Sequence, residues 1–99
     1  LKAGVQMSNL KIYSVRDIKV GSFEKPMFVK HEQEIIRSLT TVVNQKNSQV
    51  IISQYPEDFE LHYLGEYDDS TGKFNLMANS QFILTTDSLR KVDTNDVQN

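Results

Sequence analysis

The chain has 99 residues, 38% of them hydrophobic, and no cysteine. That is enough for one domain with a modest core, which an oligomer would enlarge, and it leaves no disulfide or thiolate metal site. The formal net charge of −2 argues against a nonspecific polyanion binder, and no apolar run approaches the roughly 20 residues that span a bilayer.

Leu1 to Gln6 are too short and mixed for a signal peptide, and Met7 is a candidate natural start. Residues 1–6 are therefore set aside as a leader or upstream remnant, and the domain is expected over 7–86. Asn9 to Val20 reads as a strand with a change of phase: Leu10 and Ile12 share one side, Tyr13 and Val15 take the other, and Ile18 and Val20 come after them. Such a switch predicts a bulge or bend near Ser14 to Asp17. Gly21-Ser22 closes the run, Lys25-Pro26 is loop-like, and Met27 to Val29 forms a short edge strand.

His31 to Gln45 is predicted to be a helix. Ile35, Ile36, Leu39, Val42 and Val43 make one apolar stripe. Glu32 and Glu34 sit in the first turn, where the helix dipole favours acid. His31 is a weak N-cap, and Asn44 and Asn47 are stop residues. The β-branched residues near the end lower intrinsic propensity, so packing must hold the helix. Val50-Ile51-Ile52 is read as a short buried strand, with a covering turn as the alternative.

Tyr55 to Phe74 is the most legible unit. Pro56-Glu57-Asp58 is turn chemistry. Phe59, Leu61 and Tyr63 then alternate with Glu60, His62 and Leu64, so one strand face is apolar and the other mixed. Asp68 to Gly72 is a loop with glycine where a positive φ is expected, and Lys73 to Met77 resumes the alternation, giving a hairpin with a loop of about five residues. Gln81 to Thr85 is a further strand, apolar enough to have both faces covered. From Asp87 the chain turns polar, and 87–99 is expected to be a flexible tail. These elements predict an α+β fold: a mainly antiparallel sheet of four or five strands with one amphipathic helix packed on one face. Strand order is not readable.

Chemistry-bearing groups are sparse. Acids cluster at Glu57, Asp58 and Glu60 and again at Glu66, Asp68 and Asp69. The spacing of a calcium loop is absent, and a solvated hairpin tip accounts for them. His31 and His62 would need carboxylates to complete a zinc site; they read instead as a polar residue at the helix start and a half-exposed strand residue. With no nucleophile elbow or phosphate loop among only four glycines, no enzyme, cofactor or metal is expected.

Charge is divided along the chain. Residues 1–50 carry eight Lys/Arg and four Asp/Glu, and residues 51–99 carry three and nine. In the first third, cations interleave with rings: Lys11, Tyr13, Arg16, Lys19, Phe23, Lys25, Phe28 and Lys30. Such a mix suits single-stranded nucleic acid, whose bases stack on rings while cations track phosphates. Lys11, Arg16, Lys19, Lys25 and Lys30 are the candidate contacts, with Tyr13 a candidate stacking ring. The competing reading is ordinary solvated charge, with Phe23 and Phe28 in the core. No RNA-recognition aromatic motif, helix-turn-helix or zinc-finger spacing is present.

Three blocks, in order, carry a family resemblance. They are Lys11 to Lys19 (KIYSVRDIK), Phe28 with the amphipathic stretch ending in Val43-Asn44, and Pro56 to Phe74 (PEDFELHYLGEYDDSTGKF). Together they resemble the small nonstructural protein of gokushovirus-type single-stranded DNA phages, the Microviridae. The resemblance implies a phage protein that binds DNA or acts in genome replication and packaging. With catalytic motifs, cysteine and a membrane-spanning run all absent, the expectation is a nonenzymatic protein of the host cytoplasm that binds single-stranded DNA, with no membrane partner. The alternative is a protein–protein adaptor or inhibitor docking on a replication or capsid protein, suggested by the acidic second half and the exposed Asp-Asp tip.

Overall fold

A computed structural model of the chain describes residues 9–91. Five strands make one sheet: β1 (Asn9–Asp17), β2 (Ser22–Phe23), β3 (Met27–Val29), β4 (Phe59–Asp68) and β5 (Lys73–Thr85). β1 lies in the middle, with β4 along one side and β2 and β3 sharing the other, and β5 pairs with the far side of β4. Every pairing is antiparallel. The helix α1 (Glu32–Val43) packs on one face, and a short helix α2 (Ile51–Gln54) comes after it. This is the α+β architecture that the periodicities predict.

The packing comes from matched periods. Ile35, Leu39 and Val43 recur at helical spacing and are buried. Ile35 and Leu39 meet Tyr13 and Val15 of β1 and Phe59 and Leu61 of β4, which recur at spacing two. The helix begins where expected, but the box at its start is closed by Glu34, whose carboxylate accepts the His31 backbone N–H at 3.2 Å.

β1 is apolar on both sides at its centre, with Ile12 facing away from the helix and Tyr13 towards it, both buried. That explains the change of phase without a bend at Ser14 to Asp17. The extra residue sits in the partner instead: Tyr63 pairs with Tyr13 and Gly65 with Ile12, leaving Leu64 as a bulge in β4. A larger irregularity lies in β5, where Met77 to Ser80 stand opposite that single residue.

Three expectations are corrected. Ile51 to Gln54 is helical, because a three-residue apolar run has no period of its own and local bonds decide: Ser48 Oγ accepts the Val50 N–H at 3.0 Å, and Ser53 Oγ donates to the Val42 carbonyl at 2.9 Å. Gln81 to Thr85 is not a separate strand but the second half of β5. The domain also does not end at residue 86. Thr86 to Leu89 forms a 3-10 turn in which Thr86 is fully buried and donates to the Pro56 carbonyl. Asn44 clamps the end of that turn and the residues just past it, its Nδ2 donating to the Leu89 carbonyl at 2.9 Å and its Oδ1 accepting the Lys91 N–H at 2.7 Å. The leader expected at 1–6 and the rest of the tail, 92–99, lie outside the described residues.

Beyond Tyr13 and Tyr63 the sheet runs on as an arm made of the start of β1, the end of β3, the end of β4 and the start of β5. Apart from Val29 its helix-side face is polar, with Asn9, Lys11, Glu66, Asp68, Lys73 and Asn75 in register and an Asn9–Glu66 hydrogen bond of 3.0 Å. The molecule measures 60 × 30 × 21 Å, with a radius of gyration of 16.4 Å, against about 12–13 Å for a compact chain of this length. The arm depends on Gly65. Its φ is +145°, and a Cβ there would meet the Asn75 carbonyl oxygen and lie 2.8 Å from Leu76 Cα.

Candidate functional site

The sheet face turned away from α1 carries the distinctive surface. Ile12, Ser14 and Arg16 point there from β1, and Glu60, His62, Gly65 and Tyr67 from β4. Phe74, Leu76 and Phe82 do so from β5. Phe23 joins them opposite Arg16, and Phe28 opposite Ile12. Among the described residues, no element covers this face.

Its rings fall into two groups. In the inner group, His62 stands edge-on between two phenylalanines, 5.4 Å from the Phe23 centroid and 5.9 Å from that of Phe82. Its side chain is only 10% exposed. Its Nε2 lies 2.9 Å from Glu60 Oε1 and its Nδ1 3.0 Å from Ser80 Oγ, so both nitrogens are held. Phe23 and Phe82 remain 44% and 53% exposed. The Arg16 guanidinium carbon lies 5.8 Å from the Phe23 centroid, a cation–π contact. Buried Ser14 donates to the Glu24 carbonyl at 2.6 Å, fixing the chain just after β2.

The outer group is Phe28, Tyr67 and Phe74, with centroids 4.8–6.2 Å apart. Phe28, Phe74 and the adjoining Leu76 are 43%, 55% and 62% exposed. Ile12 and Arg16, which mark the two groups on β1, are four residues or about 13 Å apart.

The residues singled out from sequence are not brought together. Arg16 is on the open face, and Lys19 is close by in the turn joining β1 to β2, where the Asp17 carboxylate accepts the Lys19 and Val20 N–H groups at 3.0 and 3.2 Å. Lys11 projects from the opposite face of the arm, in register with Val29 and Glu66. Lys25 borders a helix-side hollow lined by Val15, Met27, Leu39 and Phe59. Lys30 is exposed where β3 runs into α1. Tyr13 is no stacking ring: it is 1% exposed and donates to Glu32 Oε1 at 2.8 Å. Burial first, and then the Glu32 carboxylate, raise its phenol well above the ordinary range. His62 is buried rather than half-exposed.

The sequence reading missed Phe82, Phe74 and Tyr67. A signal for them existed. One helix covers one face, so apolar residues in the second register of the strands have no second layer to bury against among the described residues.

The acids at the hairpin tip serve the turn. Asp68 accepts the Ser70 N–H at 2.9 Å and the Ser70 hydroxyl at 2.6 Å, which holds its carboxyl below the usual range. Among the described residues no three His, Asp or Glu side chains converge as a metal site, and no helix is long and apolar enough to cross a membrane. Chemically, the open face offers ring surfaces for stacking, one arginine beside them, and a neutral apolar patch further out.

A protein-family description, Phage ORF5 protein, matches residues 10–89. The chain is also 38% identical over 64 residues to Protein ORF5 of Chlamydia phage 1, an alignment covering 63% of this chain and 67% of that protein. No solved structure matches it. Apart from Asn9 at the start of β1, every element that builds the open face lies within the matched span, and the chain belongs to the phage ORF5 protein family.

Proposed function

We propose that this phage protein binds single-stranded DNA, without catalysis, on the inner part of its open sheet face, and that it serves genome replication or packaging. The observation that carries the reading is the pair of exposed rings, Phe23 and Phe82, held on either side of an anchored His62 with Arg16 against one of them. Flat rings on an open sheet stack bases without regard to sequence, and adjacent cations neutralise phosphates. Arg16 and Lys19 fill that second role. Glu60 shares the face, and the net charge is −2, so affinity is modest and salt-sensitive.

Titration of a labelled oligonucleotide against salt tests this. If Arg16 and Lys19 each meet one phosphate, log K falls against log salt with a slope of roughly −1.4. Arg16→Ala and Lys19→Ala each flatten the slope by about 0.7. Phe82→Ala weakens binding and leaves the slope alone, since stacking releases no counterion. Absence of binding at low salt overturns the reading. It would favour the adaptor alternative, in which apolar side chains of a replication or capsid protein fill the same face.

A further inference from the structure

The outer rings differ from the inner ones in a way that changes what covers them. Around Phe28, Tyr67 and Phe74, the residues that share the open face are Leu10, Ile12, Gly65 and Leu76, and none is charged. The cation on this face, Arg16, is about 13 Å away along β1. Among the paired residues of this patch a phosphate chain would find no counter-charge, and an acidic or basic peptide no partner. The complementary surface is itself neutral and apolar.

Among the described residues the arm is also a single layer. A sheet with one apolar face is ordinarily buried against a second layer, and in this arm the face towards the helix side is the polar one. α1 therefore cannot supply the missing layer from where it lies. We propose that a second copy of this chain does: two arms pack sheet on sheet through Phe28, Tyr67, Phe74 and Leu76, related by a two-fold axis.

The geometry suits that occupant. Phe28, Phe74 and Leu76 stand exposed on a sheet face, and such a face packs against another sheet face at the usual spacing of about 10 Å. An isologous contact places each neutral patch on its own image and closes at two copies. Phe28, Phe74 and Leu76 leave on the order of 100 Å² each uncovered, and half-buried Leu10 and Tyr67 add to that. About 400 Å² of apolar area per copy results, half of the roughly 800 Å² that each partner gives to a standard interface. The dimer is accordingly weak and transient. It leaves the inner rings free.

Sedimentation velocity of the protein alone, from about one to several hundred micromolar, tests this without DNA, so the result is independent of whether the inner face binds an oligonucleotide. The expected result is a shift from monomer to dimer mass across that range. Leu76→Lys and Phe74→Ser, both at exposed positions, should raise the dissociation constant at least about ten-fold with an unchanged circular dichroism spectrum. Phe82→Ser, in the inner group, should not. A wild type that stays monomeric throughout, one that grows past the dimer, or a dimer indifferent to both outer substitutions overturns the proposal.

Discussion

The two faces of one sheet meet different fates in this protein. On one, Tyr13, Val15, Phe59 and Leu61 are sealed beneath Ile35 and Leu39. On the other, Phe23, Phe28, Phe74 and Phe82 stay about half exposed. Dimensions explain much of this. The 12-residue helix is about 18 Å long, whereas the 13-residue β5 reaches about 43 Å if fully extended. One helix cannot cover one face from end to end, and it cannot touch the other at all. An apolar ring under α1 is a core residue; the same ring one position along the strand is a surface available to something else.

The largest expected effect comes from breaking the covered face. Leu39→Ala should cost about 2–5 kcal/mol in urea melts, as a truncation in a packed core does. Leu76→Ala, on the open face, should stay within about 0.5 kcal/mol when measured below the association range. Equal losses at the two positions would erase the distinction between the faces.

Gly65→Ala comes next and separates arm from base. The added Cβ meets the β5 backbone, and the φ of +145° is one that side chains avoid, so a cost of about 1–3 kcal/mol is expected. Amide exchange should show protection lost over residues 73–76 and kept over α1. Uniform loss, or none, would mean that the arm does not depend on this close approach.

A smaller effect concerns pH. The Tyr13 phenol is raised by burial and then by Glu32, and the Tyr63 phenol by burial and then by Glu66. A phenol raised in the folded state contributes stability that is fully present below its unfolded value of about 10 and is lost as pH climbs through the folded value. Stability should therefore fall in the alkaline range above about pH 10, and Tyr13→Phe should make that fall shallower. An identical alkaline profile for the variant would show that ionisation of Tyr13 does not drive the loss.

Much of the fold was legible in local pattern. The stripe from Ile35 to Val43 specified the helix and its buried side, the alternation from Phe59 to Tyr63 specified the face it packs on, and the glycine of the Asp68–Gly72 loop takes the expected positive φ of 76°. The clamps at Asn44 and Thr86 were not legible, because their partners lie 45 and 30 residues away and no spacing announces them. The site was legible only in part. Cations and rings were weighed by nearness in sequence, yet in a strand parity decides which side chains meet. Lys11 and Tyr13 are odd positions of β1 and Arg16 is even, so the alternation already set them on opposite faces. Phe82 came from a run, Gln81 to Thr85, expected to be covered on both sides, an expectation that assumed a second layer the described residues do not contain.

If the proposed reading holds, the inner open face receives single-stranded DNA while the helix side does not. A ¹⁵N-amide NMR titration of the protein with a short oligonucleotide at low salt separates the two faces. The expected result is shift changes at Arg16, Lys19, Phe23, His62 and Phe82, with the amides of Ile35 to Val43 unmoved. Changes centred on α1, or none anywhere at low salt, would contradict it.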